Sequence, residues 1–172
     1  MKRAIVLFFG LLMFSCGSVT WERKTFEGGV SIEVPNYMTV THELAPDALV
    51  QLENQARELY FMIDKRKKSE LSDAGVEFNL VAFSKELMKS MTENLKKSSN
   101  TDHGEITCGG LKAYRFEVTG KPDIAQSISY QVVIVEGAQD FYIQTAWTTT
   151  GARTNWYKED MKKMMESFRL AI

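Results

Sequence analysis

The sequence predicts an α+β fold: a central antiparallel sheet of about six to seven strands with two main helices packed on it. Three observations lead there. The apolar period switches between two and 3.6 along the chain. Consecutive strand-like runs are separated by short, glycine-bearing turns, which joins neighbours antiparallel. The order of elements is strands, helix, strands, helix, as in a layered α+β domain.

The elements follow in chain order. Trp21 to Phe26 and Val30 to Val34 read as two short strands around Glu27-Gly28-Gly29, with Val30, Ile32 and Val34 on one face. Pro35-Asn36 ends the second, and an irregular stretch runs from Tyr37 to about Asp47. Ala48 to Ala56 and Glu58 to Arg66 fit a second hairpin, in which Leu59, Phe61 and Ile63 point one way and Tyr60, Met62 and Asp64 the other. Helix competes there, because Leu49, Leu52, Ala56, Leu59 and Ile63 also fit a 3.6 period.

Phe78 to Lys97 is helical by period, with Leu80, Phe83, Leu87, Met91 and Leu95 on one stripe and Ser98-Ser99-Asn100 closing it. Short strands come next: Glu105 to Cys108, a Gly109-Gly110 turn, and Leu111 to Thr119. Ser127 to Glu136 holds the β-branched run Val132 to Val135 expected of a central strand, and Phe141 to Thr149 is its neighbour. Asn155 to Leu170 is the last helix, its inward stripe Tyr157, Met161, Met164, Met165 and Phe168.

The first twenty residues stand apart. Lys2 and Arg3 precede an apolar run from Ala4 to Phe14, which has the length of a secretory h-region and is too short to span a bilayer. Met13-Phe14-Ser15-Cys16 resembles the lipobox of bacterial lipoproteins, with Phe14 departing from the usual small or β-branched residue. The resemblance implies a signal peptide over 1–15, acylation of Cys16, and a tether over 16–20 before one globular domain over 21–172. Acyl chains at ~0.8 kcal/mol per buried methylene would anchor it. Gly17 to Thr20 would reach about 14 Å at ~3.5 Å per residue, holding the domain close to the membrane. Plain secretion, a retained anchor, or a Cys16–Cys108 disulfide are the alternatives.

Composition excludes one class of partner. The net charge is −1, and loss of Lys2 and Arg3 takes it to −3, with no basic stripe of the kind a nucleic-acid binder needs. Nor does the chain carry a phosphate-cradling glycine loop or a GxSxG elbow.

Four constellations could carry chemistry. Cys108 and His103 would suit a hydrolase only with a base within hydrogen-bond reach; a buried thiol beside a solvated loop is the plainer reading. Asp102, His103 and Glu105 lack the spacing of a metal site, so neither metal nor cofactor is expected. Lys65-Arg66-Lys67-Lys68 could meet an anionic surface or a partner, although Asp64, Glu70 and Asp73 flank it. Trp156 opens the last helix as a candidate interface residue, whereas Trp147 alternates within a strand as core would.

The order and spacing of three pieces resemble the PsbP/Mog1-like fold: Gly29 to Met38, a strand followed by Pro and an aromatic; Gly110-Leu111-Lys112-Ala113 leading into late strands with Phe141 to Thr148; and the terminal WYKEDMKKMMESF. The likeness spans about Trp21 to Leu170. It implies a hairpin over 48–66 and mostly non-enzymatic roles, including photosystem subunits, a Ran-binding protein and bacterial lipoproteins. Fold alone does not transfer function. The expectation is a non-catalytic cell-envelope lipoprotein that engages a protein partner. The alternative is a carrier of small apolar ligands, lined by Trp156 and the late methionines between sheet and helices.

Overall fold

The hairpin reading of residues 48–66 holds. In the computed structural model, which describes residues 18–73, 79–122, 126–149 and 151–171, β4 (Val50–Asn54) and β5 (Leu59–Lys67) pair antiparallel across a short 3-10 turn, Gln55–Arg57. Leu59, Phe61 and Ile63 are buried on one face while Tyr60, Met62 and Asp64 stay half-buried on the other. A helix would have mixed these two sets around its circumference.

Seven strands build the main sheet in the order β3-β4-β5-β9-β8-β7-β6, every neighbour antiparallel. Here β3 is Thr39–Val40, β6 Lys96–Cys108, β7 Leu111–Lys121, β8 Ile128–Glu136 and β9 Asp140–Thr148. The opening hairpin leaves this sheet. β1 (Trp21–Thr25) and β2 (Val30–Pro35) form a separate three-stranded sheet with β10 (Arg169–Leu170). The reason lies in β2, whose Val30, Ile32 and Val34 face the core with both neighbours at its edges.

The seven-stranded sheet buries apolar side chains on both faces. On one, α3 (Gly151–Glu166) and the small sheet enclose a core of Phe61, Val133, Ala146, Met161, Met164 and Phe168, among others. On the other, α2 (Leu80–Glu93) lies against Phe116, Val132, Ile134 and Phe141. Val132 to Val135 are buried throughout, as a central strand covered on both sides requires. A six-residue helix, α1 (Lys68–Asp73), follows β5 directly.

Several boundaries differ from the sequence reading. Asn79 caps α2, its side chain accepting from the Ala82 amide at 2.7 Å, and the helix ends at Glu93. Residues 96–101 continue as strand, with Lys96 opposite Lys121 and Ser99 opposite Thr119. Their polar sequence carries no strand period because β6 is an exposed sheet edge. Its ladder with β7, a partner reached only after a turn, is what makes it extended. Asp102 and His103 therefore lie in a strand and not in a loop. α3 begins at Gly151, and the final residues leave it as β10, where Ala171 N–H donates to the Gly29 carbonyl at 2.7 Å. Among the described residues no helix is long and apolar enough to cross a membrane.

Candidate binding groove

α2 is too narrow for the face it covers. An α-helix is ~10 Å across, whereas strands repeat every ~4.8 Å, so one helix roofs about two strands of this sheet. α2 packs over β7 with its flanks on β6 and β8, α1 packs on β5 and brings Leu71 to the same face, and the described residues leave part of the β5–β9 surface between them open. Of its apolar stripe, Leu80 and Phe83 are buried, Phe83 stacking on Phe141 at 4.9 Å. Leu87 and Met91, with Leu95 just beyond the helix, are only half-buried and form one wall of a groove of about 550 Å³.

The strand register makes the floor. Met62 lies opposite Thr145, Asp64 opposite Ile143, and Trp147 pairs with Tyr60 on one side and Tyr130 on the other. The Trp147 ring stacks on Tyr60 at 5.3 Å and tilts against Tyr130 at 6.1 Å, which holds it along the floor. Trp147 is thus a groove residue and not core.

The opposite wall is Leu44, and a buried amide places it. Gln51, beside Met62 in the register, accepts from the Leu44 and Ala45 amides at 2.9 and 3.1 Å and donates to the Ala45 carbonyl at 2.7 Å. One side chain thereby satisfies three backbone groups of an irregular segment.

One end of the groove is charged. Arg66 pairs with Asp64 at 2.7 Å; the Asp64 side chain is 18% exposed and that of Arg66 55%. The neighbouring basic residues are engaged elsewhere: Lys67 with Glu70 at 3.2 Å, Lys68 with Glu136 at 2.9 Å and over the Phe141 ring. Lys65 shares the same strand end, its side chain on the other face. Of the basic run, Arg66 alone lines the groove.

The remaining candidates fall away from it. Trp156 is 73% exposed on α3, across the sheet from the groove. Met161, Met164 and Met165 are fully buried in the α3 core and do not line the groove, whose methionines are Met62 and Met91. Cys16 lies outside the described residues. Cys108 and His103 sit five residues apart on β6, roughly 16 Å at ~3.3 Å per residue. The Cys108 thiol donates to the Met165 carbonyl at 3.2 Å and receives the Gln144 amide at 3.5 Å, while burial pushes its pKa up. His103 contacts Glu117 at 3.2 Å, and Asp102 accepts from the Tyr114 hydroxyl at 2.8 Å. A thiol held protonated, with its base beyond reach, has no nucleophile to offer. Among the described residues no three His, Cys, Asp or Glu side chains gather as a metal site.

No protein-family model and no curated protein sequence matches the chain. Solved structures do. The Ran-binding protein Mog1p of Saccharomyces cerevisiae aligns with a TM-score of 0.58 at 12% identity, over 89% of this chain and 96% of that one. This chain has the PsbP/Mog1-like fold. Cyanobacterial PsbP from Synechocystis sp. PCC 6803 aligns at 0.56 with 13% identity, covering 91% and 96%. LpqN of Mycobacterium tuberculosis, described as involved in cell envelope biogenesis, aligns at 0.53 with 10% identity, covering 90% and 92%. At such identities the PsbP/Mog1-like likeness shows the fold alone.

Proposed function

We propose that this chain is a non-catalytic binding accessory of the bacterial cell envelope, tethered through an acylated Cys16 and working with a protein partner. The observation that carries the binding reading is the groove: a largely apolar part of the β5–β9 face that the described residues leave uncovered, walled on both sides. The leader and the Met13–Cys16 stretch support the tether. The Ran-binding description of Mog1p and the envelope description of LpqN support partner and compartment.

A photoreactive phenylalanine placed at Leu87, and separately at Trp156, tests the site in cells making the full chain. Adducts are expected from position 87. Adducts from position 156 alone would move the working surface to α3, and none from either would remove the binding reading. The mass of the mature N-terminus tests the tether: an acylated Cys16 is expected, and a chain beginning at Met1 without a fatty chain overturns it. A second reading, a carrier of small apolar ligands, is favoured by the groove's size, inside the ~300–1,000 Å³ usual for small-molecule sites.

A further inference from the structure

The shape and chemistry of the groove discriminate between occupants, granted the reading that it is a binding site. Its long wall follows α2 from Phe83 and continues to Leu95 just past the helix end, about 18 Å at ~1.5 Å per residue. Its volume of about 550 Å³ falls within the ~300–1,000 Å³ of sites for small molecules. An extended peptide brings an N–H and a C=O with every residue. The floor strands β5, β9 and β8 are each paired on both sides, so no backbone edge is free to receive them. The polar side-chain groups available are those of Thr145, Asn94, Tyr130 and Trp147, with Asp64 and Arg66 at one end. Burying peptide groups without partners is costly, whereas an alkyl chain has none to satisfy.

The charged end selects the head group. Arg66 gives one contact to Asp64, which lines the same end, and keeps its remaining donors at a side chain 55% exposed. A guanidinium offering a second edge suits a small planar anion, which it can hold through two parallel hydrogen bonds. The half-buried Met62 and Met91 provide deformable walls for an unbranched chain.

We propose that the groove binds a single-chain anionic amphiphile of the fatty-acid class, its alkyl chain between α2 and the β5–β9 floor and its carboxylate on Arg66.

The test uses the full chain, recovered from membranes into phosphatidylcholine nanodiscs, and a diazirine-bearing palmitic acid whose adducts are mapped by mass spectrometry. Adducts are expected on α2 between Leu87 and Leu95 and on the Trp147 strand. Arg66→Gln should lower their yield about tenfold, the loss of one charge-assisted contact. Leu87→Trp, or Met91→Trp if the first alters the circular dichroism spectrum, should abolish them by filling the groove. Equal labelling by the corresponding diazirine alcohol, with no effect of Arg66→Gln, overturns the anionic head group while the groove stands. Absence of groove adducts with either probe overturns the amphiphile. In that case a protein adduct from the photoreactive residue at position 87 preserves the groove as a protein site, and its absence removes both.

Discussion

Two buried side chains show how differently a polar group can serve this fold. Cys108 is 3% exposed, and its thiol lies between the Met165 carbonyl and the Gln144 amide. Iodoacetamide is therefore expected to modify it only as fast as the native state opens, with the rate rising across a denaturant series; prompt stoichiometric alkylation in buffer would contradict the burial described here. Gln51 instead organises backbone. Gln51→Ala removes three hydrogen bonds to residues 44 and 45 and leaves those groups under the loop, so stability should fall by about 1–3 kcal/mol in urea unfolding. The same substitution frees Leu44, one wall of the groove.

At the level of elements, the close approach of hairpin and helix depends on one glycine. Gly109, in the β6–β7 turn, has φ +62°, and a Cβ there would sit 2.5 Å from the Phe168 carbonyl oxygen just past the end of α3. Its neighbour Gly110 has φ +81° but open space around it. Both lose from a side chain in the left-handed region, about 1–2 kcal/mol. Only the first must also move α3 off the hairpin. Gly109→Ala should thus lower the melting temperature distinctly more than Gly110→Ala; equal shifts would mean that the hairpin yields without cost. α3 is further pinned by the Tyr37 hydroxyl, which donates to Asp160 while the Arg57 guanidinium lies 3.8 Å above the Tyr37 ring.

The molecule as a whole should be sensitive to alkali. Burial raises the pKa values of Tyr37, Tyr114, Tyr130 and Tyr142, and hydrogen bonds to Asp160 and Asp102 add to the effect at Tyr37 and Tyr114. Tyr114 is pushed up to about 12 from its ordinary 10.0. Between those values the unfolded chain gives up phenol protons that the folded chain keeps. The stability this provides is complete below pH 10 and drains away as the pH rises toward 12. Urea midpoints should fall steeply over that window, and the fall should be shallower in Tyr114→Phe, which has no phenol to titrate at that position. A midpoint independent of pH there would contradict the buried phenols.

How much of this was legible beforehand follows from where the deciding interactions lie. The alternation in Val30 to Val34, the β-branched run at Val132 to Val135 and the methionine stripe of α3 are local patterns, and each found its element, whereas Leu59 to Ile63 fits helix and strand alike and pairing with β4 and β9 decides it. The extended state of residues 96–101 was invisible, because it comes from pairing with a strand beyond the next turn. The groove had a faint signal: β9 is apolar on both faces, with Ile143 and Trp147 turned away from Tyr142 and Ala146, which is more apolar surface than two helices cover. By itself the sequence determined the α+β class and the two helix faces, since period and composition are properties of neighbouring residues. Only the tertiary structure decided that α2 roofs half of its sheet face and that Arg66, out of four adjacent basic residues, stands at the end of the space it leaves. Coverage and strand register are set between segments far apart in the chain.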